Sequence, residues 1–157
     1  MIRPALAFAF FFASLSVAAA KEVKTTIKPD PASFGAQRAE IENSFRTDAY
    51  SELTRTQREQ VTEALDRIEA LLRGVRAVSE LEEKQRIQLF NDQDYVNTTL
   101  TKARADSRTI CRRETRVGSH RPTTRCNTVA EIRRERESSQ SDLREHQRSH
   151  MRPPGGQ

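Results

Sequence analysis

Between Arg55 and Leu72 the apolar residues fall at Val61, Leu65, Ile68 and Leu72, with Ala64 and Leu71 widening the stripe. Steps of four, three and four predict a helix with one buried face. Thr54 followed by Gln57 makes a capping box, in which the threonine oxygen takes a free backbone N–H and the glutamine reaches back. Arg73 suits the negative helix end, and Gly74 supplies a left-handed residue after it. Ser79 with Glu82 predicts a second capping box. The helix after it reaches about Asp106, with Leu89, Val96, Leu100 and Ala103 on one side and Ile87 and Phe90 adjoining. So short a link forces the two helices to be antiparallel neighbours. Upstream, Ser33 is placed to cap a helix with inner positions Phe34, Ile41, Phe45 and Ala49, which packs on that pair. The seam lasts too few turns for a coiled-coil dimer and reads as intramolecular.

The pattern changes after Ser107. Thr109-Ile110-Cys111 and Thr123-Thr124 have strand-like composition, and Val117-Gly118-Ser119-His120 supplies a turn. Cys111 and Cys126 lie equally far from Gly118-Ser119, so a hairpin folded there sets them opposite each other. A two-residue Gly-Ser turn would put Pro122 where its missing N–H is needed. A four-residue loop from Val117 to His120 moves Pro122 and both cysteines to non-hydrogen-bonded positions, where facing side chains come closer. The longer loop is therefore predicted.

Thr128 with Glu131 forms a third capping box, and the segment to His150 is almost wholly polar apart from Val129, Ile132 and Leu143. Such a helix has little to bury. Lys21 to Ala32, with Pro29 and Pro31, reads as an extended arm, and Pro153-Pro154-Gly155-Gly156 as a disordered end. The fold class predicted is mainly α: a small antiparallel helical hairpin or bundle with a disulfide-closed β-hairpin and a polar C-terminal helix. The boundaries are an arm over 21–33, helices over 34–106, a basic hairpin over 107–127, a polar helix over 128–150 and a tail over 151–157.

The start of the chain adds a destination. Met1-Ile2-Arg3 is a short charged opening, Ala5 to Val17 is an apolar run too short to span a bilayer comfortably, and Ala18-Ala19-Ala20 suits a signal peptidase. Residues 1–20 read as a signal peptide cleaved near Ala20, which places the protein in the periplasm or outside the cell. The mature chain has no transmembrane segment, and Lys21 in place of cysteine argues against a lipid anchor. Four of the seven phenylalanines, Phe8, Phe10, Phe11 and Phe12, leave with the leader. Little remains for a core, which favours a small helical body. An exported chain meets oxidising conditions, so its two cysteines read as a disulfide.

Charge is concentrated. Lys21 to Thr101 holds 12 basic and 15 acidic residues, a net of −3, whereas Lys102 to Cys126 holds 8 and 2, a net of +6. The hairpin's basic residues are arginines: Arg108, Arg112, Arg113, Arg116, Arg121 and Arg125. Their planar forks pair bidentately with phosphate and carboxylate, which makes the six candidate anion-binding residues. Either they meet an external anion or the acidic helices neutralise them. No aromatic side chain interleaves them, which disfavours nucleic acid. An anionic envelope polymer, a lipid headgroup or an acidic protein is the expected partner.

Other chemistry is poorly supported. The cysteines lack the close spacing of a redox pair and the companions of a zinc site. His146 and His150 share a helical face but lack the glutamate of zinc peptidases. Ser119 and His120 have no orienting carboxylate nearby. Asn91, Asp92 and Asp94 lack the glycine and distal glutamate of a calcium loop and are expected on the exposed face of their helix. Asn97-Thr98-Thr99 fits a glycosylation acceptor, but on a mid-helix site. No catalytic residue, metal or cofactor is predicted.

Ile110-Cys111-Arg112-Arg113-Glu114, Gly118-Ser119-His120 and Thr124-Arg125-Cys126-Asn127-Thr128, with Leu89-Phe90-Asn91 upstream, resemble a group of uncharacterised small exported proteins of Gram-negative bacteria. The resemblance covers roughly the last half of the mature chain. It implies a periplasmic or secreted location and a paired disulfide, and it carries over no functional residues. The function expected is non-enzymatic binding through the basic hairpin. The alternative is a structural or assembly role carried by the helices, with the hairpin only a staple.

Overall fold

In a computed structural model of the protein, which describes residues 26–151, helix α1 spans Phe34–Ser44, α2 Arg55–Leu72 and α3 Glu83–Ser107. Strands β1 (Thr109–Thr115) and β2 (Pro122–Thr128) follow, and helix α4 (Val129–Met151) ends the described chain. The molecule is mainly helical and carries one disulfide-closed hairpin. The predicted leader with its cleavage site, Lys21, and the tail beyond Met151 lie outside the described residues.

Helices α2 and α3 are antiparallel. Gln60 meets Tyr95 while Arg67 meets Asp92, so advancing along one helix retreats along the other. The predicted stripes face inward: Val61, Ala64, Leu65, Ile68 and Leu72 pack with Leu89, Val96, Leu100 and Ala103 in one apolar core. The Thr54–Gln57 capping box is present, and Gly74, with φ of 85°, follows the C-cap Arg73 as expected.

Four local readings are corrected. The capping box of α3 is Glu82 with Gln85, because Val78–Glu80 winds into a short 3-10 turn and Ser79 makes no cap bond. Helix α1 stops at Ser44; the chain turns there, and Ala49 falls in a 3-10 turn, Asp48–Tyr50, that buries Tyr50 edge-on to Phe45. Ser33 sits at the start of α1 without capping it. Its hydroxyl donates to Asp30 at 2.6 Å, while the Asp30 carbonyl accepts from the Phe34 N–H. Ile87 and Phe90 are half-exposed on the outer side of α3 and do not extend its core stripe.

The arm is part of the core. Ile27 is 1% exposed. Its N–H donates to Asn97 Oδ1 at 2.7 Å and its carbonyl accepts from Gln93 Nε2 and Asn97 Nδ2. The next residue, Lys28, exchanges both backbone hydrogen bonds with the buried amide of Gln37. Side-chain amides thus do for this segment what a neighbouring strand does in a sheet, leaving no backbone group at Ile27 or Lys28 unpaired.

Candidate anion-binding groove beside the hairpin

The facing residues are the predicted ones: Cys111 faces Cys126, Arg112 faces Arg125 and Thr115 faces Pro122, but the strands end at that last pair, so the loop runs over 116–121 rather than the predicted Val117 to His120. The Val129 N–H donates to the Arg108 carbonyl at 3.0 Å, and in an antiparallel ladder bonded and non-bonded pairs alternate. Arg112–Arg125 is therefore a hydrogen-bonded pair. Cys111–Cys126 and Thr115–Pro122 are non-hydrogen-bonded pairs, so Pro122 sits where its missing N–H is not required. The cysteine Cα atoms are 4.0 Å apart, as the closer pair type allows, and the disulfide is formed. At the tip the Ser119 N–H bonds the Arg116 carbonyl, with Gly118 at φ of 83°, and the Arg121 N–H donates to the Ser119 hydroxyl. Ser119 works as a turn former.

Alternate pairs point to opposite faces of the ribbon. One face carries Cys111, Cys126 and Arg113, all exposed. The other carries Ile110, Arg112, Glu114, Arg125 and Asn127 and looks toward α4, with which it encloses an open groove of about 450 Å³. Helix α4 can lie there because its Thr128–Glu131 capping box, present as predicted, starts it directly from β2. Ile132 and Arg136, one turn apart, then face the ribbon. Ile110 and Ile132, both half-buried, form the apolar end of the groove, and arginines line the rest.

The six predicted arginines do not share one surface. Arg112 and Arg125 line the groove, Arg113 projects from the disulfide face, Arg116 and Arg121 flank the tip, and Arg108 caps the end of α3. Arg136 joins the first two and was missed by sequence reasoning, because α4 looks like an isolated polar helix until it is seen to fold back along the hairpin. The only available signal was the spacing of Ile132 and Arg136 after a cap with no linker.

Several carboxylates of the helical body pair with other arginines. Arg38 of α1 pairs with Glu42, Asp66 and Glu69, joining α1 to α2. Arg67 grips Asp92 at 2.6 Å. Asp92 is buried, which corrects its expected place on the exposed face of α3. At the base of α4, Arg133 bonds both oxygens of Asp106 at 2.8 and 3.0 Å, and Arg134 reaches Glu52 at 2.7 Å. Arg133 holds the Asp106 carboxyl below its ordinary range, and Arg134, with help from the Thr128 hydroxyl, does the same for Glu52. Among the described residues the six candidate arginines form one ion pair, Arg125 with Glu135 at 3.4 Å.

No helix among the described residues is long and apolar enough to cross a membrane. The exposed histidines His120 and His146 are far apart along the chain, one at the hairpin tip and one on α4. Comparison with protein families, with curated proteins and with solved structures finds no match to this chain.

Proposed function

We propose that this protein is an exported, non-enzymatic binding module whose arginine-rich hairpin contacts an anionic component of the cell envelope, a polymer or lipid headgroup, or an acidic protein. The observation that carries this reading is the distribution of ion pairs. Six body carboxylates, Glu42, Glu52, Asp66, Glu69, Asp92 and Asp106, are matched by Arg38, Arg67, Arg133 and Arg134, while Arg108, Arg112, Arg113, Arg116 and Arg121 have no carboxylate partner among the described residues. An unneutralised basic segment attracts anions over about 8 Å at physiological salt. The leader-like start, the disulfide and the resemblance to small exported proteins support placement in the periplasm or outside the cell.

Binding to a heparin-like polymer, followed as salt is raised, tests the reading. Affinity should fall steeply with salt, and Arg112→Ala with Arg113→Ala should weaken it severalfold or more. Salt-insensitive binding, or binding untouched by the double variant, counts against it.

A second reading has its own observation. Ile87 and Phe90 are 55% and 51% exposed on α3, away from the hairpin, as an assembly contact made by the helices would require. A complex found by cross-linking that survives loss of the arginines and fails with Phe90→Ala would favour it.

A further inference from the structure

Resting on the binding role just given, we infer that the groove between the hairpin and α4 is a site for a single phosphate-type group, a phosphomonoester on a small stem, held by Arg112, Arg125 and Arg136. These three guanidinium groups come from both strands and the facing helix and line one cavity of about 450 Å³, within the size range of small-ligand sites. Arg112 and Arg125 stand directly opposite each other as a hydrogen-bonded pair. Like charges so placed repel, and only Arg125 has a carboxylate, Glu135, at a long 3.4 Å. Arg112 and Arg136 have no ion-pair partner among the described residues. An oxoanion seated between them turns that repulsion into attraction.

The shape of the charge chooses the ligand class. A carboxylate offers two oxygens and satisfies one guanidinium fork, whereas a phosphoryl group offers three or more and can take several. Glu114 and Glu135 also line the groove. Their charge opposes a long polyanion threaded through it and is compatible with one compact group near Arg112 and Arg136. The apolar end at Ile110 and Ile132 gives a stem somewhere to lie. An extended polymer is left to the outer arginines, Arg113, Arg116 and Arg121.

Titration calorimetry of the oxidised protein with glycerol phosphate tests the site. Flotation with phosphatidylcholine vesicles, with and without phosphatidic acid, separates a soluble source from a lipid one. Saturable binding of glycerol phosphate, or capture by the phosphatidic acid vesicles alone, is expected. Arg112→Gln or Arg136→Gln should weaken it about tenfold or more, and Arg55→Gln, at an exposed arginine of α2, should leave it within about twofold. Glu135→Gln should strengthen it, a gain that misfolding could not produce. Equal losses in the Arg55 and Arg136 variants, or wild-type protein that binds heparin but neither phosphomonoester, overturns the site and leaves the broader reading standing. Wild-type protein that binds none of these probes removes the site together with the polymer and lipid forms of the broader reading.

Discussion

The Thr128 hydroxyl donates a hydrogen bond to the Glu52 carboxylate at 2.6 Å across 76 residues of chain. The same hydroxyl accepts from the Glu131 N–H to start α4, so one side chain both begins the last helix and fastens it to the body. Around it the Glu52 N–H donates to the buried Ser107 hydroxyl, Arg134 holds Glu52, Arg133 holds Asp106, and Ala130 is buried. This junction fixes the hairpin and groove relative to the helical core.

The junction should weaken in acid. Arg134 and Thr128 lower the Glu52 pKa, and Arg133 lowers that of Asp106. A carboxylate depressed in the folded state stabilises it fully above the ordinary carboxylate range, about pH 4, and loses that contribution as pH falls through the depressed value. Amide shifts of Thr128 to Ala130, followed by NMR during acid titration, should change with a midpoint below that range. Glu52→Gln should remove most of the change. A midpoint at the ordinary carboxylate value would show that the two ion pairs do not hold the helix.

Reduction should act on the hairpin and spare the helices. The disulfide closes a segment of sequence separation 15, and a loop of that size contributes about 3 kcal/mol in the chain-entropy model. Two strands alone are marginal in water. With Cys111→Ala and Cys126→Ala, amides of β1 and β2 should exchange with solvent roughly a hundredfold faster, while the α2 and α3 amides change little. Uniform acceleration across all elements is the opposing result.

Ile27 should behave as a core residue although it lies in a segment without regular structure. Ile27→Ala should cost about 2–5 kcal/mol in denaturant unfolding, as for other buried aliphatic truncations. Asn97→Ala, which strands the Ile27 backbone groups, should cost about 1–3 kcal/mol. If both variants unfold with wild-type midpoints, the arm is not docked in solution.

Within α3, position decides the effect of an apolar deletion. Leu100→Ala, at a fully buried site, should destabilise by about 2–5 kcal/mol. Phe90→Ala, at a half-exposed one, should stay within about 1 kcal/mol. Thermal unfolding of the pair checks the assignment of the helix faces.

Local rules were enough to read much of this protein. Helical periodicity identified the α2 and α3 core residues, the Thr54–Gln57 and Thr128–Glu131 boxes marked two helix starts, and the proline N–H argument set which facing pairs of the hairpin carry hydrogen bonds. Each depends on interactions within a few residues or on the fixed alternation of a two-stranded ladder. The misplaced start of α3 shows the limit: Ser79-Glu82 and Glu82-Gln85 are competing caps one turn apart, and the packing of Leu81 into the core accompanies the later one.

What the chain alone determined was its helical stripes, its polar last helix, its basic segment and the facing of Cys111 and Cys126, because these follow from spacing along a backbone of known period. Tertiary structure decided that Ile27 docks on Asn97, that Asp92 is buried against Arg67 and that Arg136 joins Arg112 and Arg125. Those meetings bring together residues remote in sequence. Which charge finds which partner depends on how the helices and hairpin fold back on each other, and no local period encodes that.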